Sequence, residues 1–275
     1  MRKSPLLLLL AAPLLGACST DTVSVGVSAR VGSSTTTAAS RLMAQGTVSP
    51  QVVLSNGIEV QRVRLVVRKL ELQDAATAAA VSTADAGSSD DDGSGHEGEF
   101  ETGPFLIDLS GAALEGQLVS LPEVKVPAGV YEEIEYKIGV PSASQVGSDA
   151  ALADMAQRQA SAIIDGTIDG EAFSFVSGVS VEQEREVTFE VGGARDESVT
   201  INLDAAKWFQ DGSGNRLDPR VAGNRSAIEN NLQKSIDAFD DHDRDGHEDH
   251  DDDSAGDDHG GSDGGHGSDD GANHT

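Results

Sequence analysis

Cysteine is nearly absent from the chain, because Cys18 is the only one among 275 residues. A lone thiol cannot close a disulfide within the chain, and it cannot build a metal site from several cysteines. The role of Cys18 must therefore be inferred from the residues next to it in the sequence.

Long apolar runs are also absent, and the clearest apolar run covers only residues 6–12. This length is too short to span a bilayer. The basic residues Arg2 and Lys3 precede the run, as in a secretory signal peptide. We therefore predict that residues 1–17 are a signal peptide.

The run ends in Leu15-Gly16-Ala17-Cys18, which resembles the lipobox of bacterial lipoproteins. This resemblance implies that Cys18 carries lipid and anchors the protein to a membrane of the cell envelope. Ser19, in place of an aspartate, favours the outer membrane by the sorting rules of such proteins. The alternative is an ordinary cleavage site after a small residue, with Cys18 incidental.

Basic residues are scarce, with 19 Lys and Arg against 47 Asp and Glu, and the net charge is −28. The acidic residues concentrate between Asp85 and Glu101 and again from Asp240 onward. Such a chain repels nucleic acid and attracts cations, so we predict no nucleic-acid partner. A protein or small-molecule ligand stays open.

Familiar catalytic patterns are missing too, since neither H-E-x-x-H nor a P-loop occurs. The densest carboxylates stand in low-complexity stretches, which cannot hold a fixed catalytic geometry. We therefore predict a non-enzymatic protein.

Alternating apolar and polar residues predict a mainly β fold. Val23, Val25 and Val27 show the period of two that is typical of a half-buried strand. Asn56-Gly57 stands between two β-rich runs, which predicts a hairpin, and a change of phase near Arg68 predicts a bulge in the return strand. Further strand patterns follow at regular spacing, so we predict a single β-sandwich.

The predicted domain organisation has three parts after the signal peptide. Residues 18–223 form the sandwich, with a disordered acidic insertion near 74–99. Residues 224–240 form one amphipathic helix, because Ile228, Leu232, Ile236 and Phe239 recur at about the helical period. Ser226 is its predicted N-cap, with Glu229 three residues later. Residues 241–275 are an acidic tail rich in histidine, aspartate and glycine.

Three stretches between residues 58 and 141 resemble a bacterial lipoprotein family described as a domain of unknown function: "VRLVVRKLELQD", "FLIDLSG" and "VPAGVYEEIEYKIGV". The resemblance implies a transthyretin-like (prealbumin-like) β-sandwich. "AGVYEEIEYKIGVP" is also similar to periplasmic copper-binding partners of methanobactin systems. Their metal-site Trp and His pattern has no counterpart here, because the only Trp is Trp208 and no His lies in a predicted strand.

The tail begins with a pattern that is typical of a calcium loop. Asp241, Asp243 and Asp245 occupy positions 1, 3 and 5 of D-x-D-x-D-G, and Gly246 permits the sharp turn at position 6. The carbonyl of His247 would bind at position 7. We therefore predict a weak Ca²⁺ site, with a Kd on the order of 10⁻⁴ to 10⁻³ M.

The second half of this pattern departs from an EF-hand. Asp249 stands at position 9, and Asp252 replaces the usual glutamate at position 12. An entering helix is predicted up to Phe239, but no exit helix follows. The alternative is an acidic tail that only contacts solvent.

Histidines raise a second metal hypothesis, namely capture of transition ions. All seven lie in the acidic segments: His96, His242, His247, His250, His259, His266 and His274. Because these segments are predicted to be flexible, a site would have to order them at an entropic cost. We therefore place transition-metal binding behind calcium.

Trp208 and Phe209 precede a turn-like run, "DGSGN", and could form an exposed ligand-binding corner. The favoured interpretation is that both aromatic side chains anchor the core and that the run is turn chemistry.

Overall fold

The computed structural model describes residues 22–32, 52–54, 57–75, 99–193 and 197–249. Cys18, Asp252 and the predicted signal peptide lie outside these residues. So do most of the acidic insertion and the tail from residue 250, so their predicted disorder stays a prediction. Five histidines also fall there: His96, His250, His259, His266 and His274.

The described part is mainly β, as the sequence patterns predict, and its strands form two sheets. The strands are β1 (Thr22–Val31), β2 (Val52–Val53), β3 (Ile58–Asp74), β4 (Glu99–Thr102), β5 (Phe105–Ser110), β6 (Val119–Pro127), β7 (Gly129–Ile138), β8 (Ala162–Ile168), β9 (Glu171–Ser177), β10 (Val181–Val191), β11 (Ser198–Leu203) and β12 (Ile236–Asp240).

The first sheet has the strand order β12-β11-β1-β6. β1 and β11 run parallel, whereas β6 and β12 are antiparallel to their neighbours. The alternation predicted for β1 is confirmed, because Val25 and Val27 are buried in the core. Ser28 and Arg30 point to the opposite face of the same strand and are buried as well. The outer face of this sheet is therefore covered over the second half of β1.

The second sheet is built around the long strand β3. One edge of β3 pairs with β2, β5 and β4, and the other edge pairs with β8 and then β7. The predicted hairpin is confirmed, since β2 and β3 pair across a turn in which Gly57 has a φ of +79°. The predicted bulge is confirmed too, as a register shift between Val67 and Lys69.

One apolar cluster contains residues of both sheets. Tyr136 of β7 reaches across it, and its hydroxyl donates to the carbonyl of Ile236 on β12 at 2.7 Å. Burial raises the pKa of Tyr136 well above its ordinary value, which keeps the phenol protonated. This hydrogen bond ties the second sheet to the last strand of the first.

Three α-helices accompany the sheets in the described residues: α1 (Ala143–Val146), α2 (Ala150–Gln157) and α3 (Arg225–Gln233). The carboxylate of Asp149 caps α2 by accepting from the backbone N–H groups of Ala151 and Leu152. α2 packs Met155 against Val66 in a small second apolar cluster. Within the described ranges, none of the helices combines the length and apolar character needed to cross a bilayer.

The predicted helix over residues 224–240 is wrong in its second half. α3 ends at Gln233, and the residues from Ile236 to Asp240 form β12, which pairs antiparallel with β11. Ile236 and Ala238 are buried and the residue between them is exposed, which is the alternation of a strand. A segment of only five residues is too short for its apolar pattern to distinguish a strand from a helix. The segment forms a strand because pairing with the edge of β11 gives its backbone N–H and C=O groups hydrogen-bond partners.

The predicted N-cap at Ser226 is also wrong. α3 begins at Arg225 with Asn224 in the N-cap position, where no side-chain capping hydrogen bond forms. The carboxylate of Glu229 accepts instead from the hydroxyl of Ser177, at 2.8 Å, and from Arg225, at 3.0 Å. These tertiary contacts take the place of the expected capping box.

Candidate metal centre

The acidic stretch from Asp241 to Asp249 follows β12 directly and folds onto the outer face of the first sheet. The backbone N–H of Asp241 donates to the carbonyl of Ser198 at 2.8 Å, and the hydroxyl of Ser198 donates back to the Asp241 carbonyl. Arg30 of β1 donates from Nη1 to the carbonyl of Gly246 at 2.5 Å. The alternative of a tail that only contacts solvent therefore does not apply to these nine residues, which we call the acidic loop.

The position of Arg244 explains how the acidic loop packs closely against the sheet. Its guanidinium lies over Gly26 of β1, where a Cβ would stand 2.8 Å from Nη2. The missing side chain at Gly26 leaves the space that the guanidinium occupies. This arrangement covers the face that Ser28 and Arg30 share.

Asp241 is a completely buried carboxylate, with an exposed fraction of 0%. Its Oδ2 accepts from the hydroxyl of Thr200 at 2.6 Å and from the backbone N–H of Gly246 at 3.1 Å. Burying a charge is costly unless hydrogen bonds or an opposite charge compensate for it. Among the described residues these donors are neutral, and no lysine or arginine forms an ion pair with Asp241.

Asp243 and Asp245 bring two more carboxylates to Asp241. One oxygen from each of the three lies within 4.8 Å of the others. The loop holds this arrangement through its own backbone, because Asp243 accepts from the N–H of Asp245 at 3.1 Å and Asp245 accepts from the N–H of His247 at 2.7 Å. Gly246 takes a φ of +83°, as the turn at position 6 requires. The predicted convergence of positions 1, 3 and 5 is confirmed, and we call these residues the aspartate triad.

Asp249 does not join the triad, although the sequence places it at position 9. Its Oδ2 accepts from the backbone N–H of His242 at 2.5 Å and also contacts Nδ1 of the same residue. The group of carboxylates that could share one ion contains Asp241, Asp243 and Asp245 without Asp249. Among the described residues, His247 forms a hydrogen bond only through its backbone N–H.

The element that enters the loop is a strand, which corrects the comparison with an EF-hand. The pattern predicts a helix ending at Phe239, but Phe239 lies in β12 and pairs with Thr200 of β11. The strand fixes the position of Asp241 through the sheet register. As a result, Asp241 lies beside Ser198 and Thr200, two polar residues that the sequence alone did not single out.

Arg185 links the acidic loop to the second sheet. Its guanidinium on β10 forms ion pairs with Asp237 of β12, at 2.7 Å, and with Glu248 of the loop. Burial alone would lower the pKa of Arg185, but the hydrogen bonds to Asp237 and Glu248 raise it above its ordinary value. The loop is therefore held by both sheets.

The aromatic corner is part of the core, as the favoured interpretation predicts. Trp208 and Phe209 are 1% and 0% exposed, and the Trp208 Nε1–H donates to the hydroxyl of Ser235 at 2.6 Å. Asp211 organises the following turn by accepting from the backbone N–H groups of Ser213 and Asn215. No exposed aromatic surface is left here to bind a ligand within the described residues.

Comparison with protein-family models, with curated proteins and with solved structures gives no match in any of the three.

Proposed function

We propose that this chain is a lipid-anchored, non-enzymatic protein of the bacterial cell envelope whose acidic loop binds Ca²⁺. The aspartate triad supplies hard oxygen ligands, and calcium prefers such ligands whereas zinc and copper favour imidazole or thiolate. The observation that carries the proposal is the buried carboxylate of Asp241, which has neutral hydrogen-bond donors and two further carboxylates beside it.

The binding step follows from the charges of the loop. Three carboxylates converge where a divalent cation would compensate their mutual repulsion. The carbonyl of His247 and the side chains of Asp249 and Asp252 would complete the oxygen set, and Asp249 would first have to leave His242. This exchange is consistent with weak binding, with a Kd on the order of 10⁻⁴ to 10⁻³ M.

The anchoring part of the proposal comes from the sequence around Cys18. Lipid on this residue would hold the protein to the outer membrane, and its partners there would be a protein or a small molecule rather than nucleic acid. The two sheets with one shared core fit the transthyretin-like sandwich that the resemblance implies.

A calcium titration of the chain from residue 19 onward tests the binding proposal. Added at 5 mM, Ca²⁺ should stabilise the fold by about 1–2 kcal/mol, as expected for such a Kd. Replacing Asp243→Asn together with Asp245→Asn should remove this effect. Asp258→Asn with Asp263→Asn removes the same charge from the tail and should leave it intact.

Two results would count against calcium. Stabilisation by Mg²⁺ or NaCl at equal ionic strength would show a general charge effect. A response to Zn²⁺ or Cu²⁺ at micromolar levels, lost when His242, His247 and His250 become Gln, would favour capture of transition metals instead.

A further inference from the structure

The outer face of the second sheet carries glutamates that stand directly opposite one another. Four strands contribute one row in register: Glu101 of β4, Glu71 of β3, Glu135 of β7 and Glu184 of β10. The next row contains Glu99, Gln73, Glu133 and Glu186 in the same strand order. We call the seven glutamates of these two rows the glutamate face. Like charges placed opposite each other on neighbouring strands destabilise a sheet.

Among the described residues, the lysines that compensate these charges stand at one end of the glutamate face. Lys69 forms ion pairs with Glu71 and with Glu135, the latter at 3.2 Å. Lys137 pairs with Glu135 at 2.9 Å and with Glu182 at 3.0 Å. Both lysines therefore compensate the charges of the first row and of Glu182, which lies next to that row. In the described part of the chain, no ion pair reaches Glu133, Glu184 or Glu186.

Three carboxylates of the face, those of Glu71, Glu133 and Glu135, are poorly solvated, and the Glu135 side chain is 12% exposed. Glu71 is only 5% exposed, and Glu133 is half-buried with Glu184, Glu135, Glu71 and Glu186 around it. Burial, followed by these like charges, raises the pKa of Glu133. Burial also raises the pKa of Glu71, although Lys69 acts against it. The pKa of Glu135 is lowered, because hydrogen bonds to Lys137 and Lys69 outweigh its burial.

The direction of the pH effect follows from linkage. A carboxyl whose pKa is higher in the folded than in the unfolded chain binds more protons when folded. The free energy of unfolding therefore rises as the pH falls from neutral toward 4.5, the ordinary pKa of a glutamate carboxyl. At still lower pH the opposite effect sets in. The folded state lowers the pKa values of Glu135, Asp211 and Asp218, so protonation of these carboxylates lowers the free energy of unfolding.

We propose that the glutamate face is a proton-operated switch of surface charge and stability. At neutral pH its carboxylates repel one another and give the sheet a strongly anionic surface. As the pH falls, Glu133 and Glu71 take up protons before carboxyl groups of ordinary pKa do, which neutralises the middle of the face and relieves the repulsion between β3 and β7. The switch uses none of the residues of the acidic loop and is independent of calcium binding.

Urea unfolding at pH 7.5 and at pH 5.5, with EDTA present, tests the switch. The unfolding equilibrium constant should fall at pH 5.5, by about 1.4-fold to 5-fold for each repulsive pair that is relieved. Glu71→Gln with Glu133→Gln should lose most of this response. Glu115→Gln with Glu123→Gln changes two exposed glutamates outside the face and should keep it. Gln73→Glu completes the second row and should enlarge the response.

Equal or lower stability of the parent chain at pH 5.5 would overturn the switch, and so would a full response in the double glutamine variant. Should that variant not fold, carbon NMR of the glutamate carboxyl groups in the parent chain decides the matter. Two carboxyls should titrate above the ordinary range, and one of them should be missing in Glu133→Gln. Titration of every glutamate in the ordinary range would exclude the switch.

Discussion

The side-chain hydroxyl of Thr200 donates a hydrogen bond of 2.6 Å to Oδ2 of Asp241, and both residues are completely buried. Thr200 lies on β11 with its side chain on the outer face, opposite the core residues Val199 and Ile201. A sheet residue thus fixes the first carboxylate of the aspartate triad.

Removing this donor should destabilise the fold. Thr200→Val keeps the shape but removes the shorter of the two described hydrogen bonds to Oδ2 of Asp241 and leaves the N–H of Gly246 as the donor, which costs about 1–3 kcal/mol. Urea unfolding measures the loss. Thr200→Ser retains the hydroxyl and should recover most of it, so equal losses in both variants would show that packing rather than the hydrogen bond is responsible.

Gly246 should tolerate no side chain. Its φ of +83° is unfavourable for alanine, and a Cβ would overlap the guanidinium of Arg30. We expect Gly246→Ala to cost about 1–2 kcal/mol from the backbone alone and to abolish calcium stabilisation. Gly212→Ala is the matched control, because no atom lies within 4 Å of its Cβ position. Thermal melts with and without Ca²⁺ measure both effects, and a calcium response preserved in Gly246→Ala would contradict the assigned loop.

The ion pair between Arg185 and Glu248 should contribute little in isolation. Both side chains are partly exposed, at 27% and 36%, so solvent screens the pair and a coupling of about 0.5 kcal/mol is expected. A double-mutant cycle with Arg185→Gln and Glu248→Gln measures it. The coupling should decrease in 1 M NaCl. A coupling that is unchanged by salt would indicate a different contact.

Cys18 should decide whether the protein stays on membranes. If it carries the only anchor, Cys18→Ser releases the protein into the soluble fraction during a carbonate wash. The parent chain should remain in the membrane pellet. Retention of the serine variant would contradict lipid anchoring at this position.

Local patterns in the sequence predicted the parts of the fold that depend on neighbours in the chain. The period of two at Val25 and Val27 gave a correct strand, and Asn56-Gly57 gave a correct hairpin, because strand burial and turn geometry are local properties. The positions of Asp243 and Asp245 also depend on local contacts, because backbone N–H groups of the same loop hold both carboxylates.

Contacts between distant parts of the chain account for what could not be predicted. The segment from Ile236 to Asp240 forms a strand because it pairs with the edge of β11. Five residues are too few for their apolar pattern to predict this pairing. The burial of Asp241 depends on Thr200, 41 residues away in sequence. The glutamate rows depend on the register of four strands, so nothing near Glu71 or Glu135 indicates that they face each other.

The position of β3 also determines how the domain comes apart. This one strand forms hydrogen bonds with five others along its two edges, so none of these five can be lost without exposing part of the β3 backbone. Local opening is therefore costly at its centre and cheaper at its periphery. Backbone amides from Val63 to Leu72 should exchange with solvent the most slowly, at the rate of global unfolding, and the two halves of the sheet should unfold as one cooperative unit.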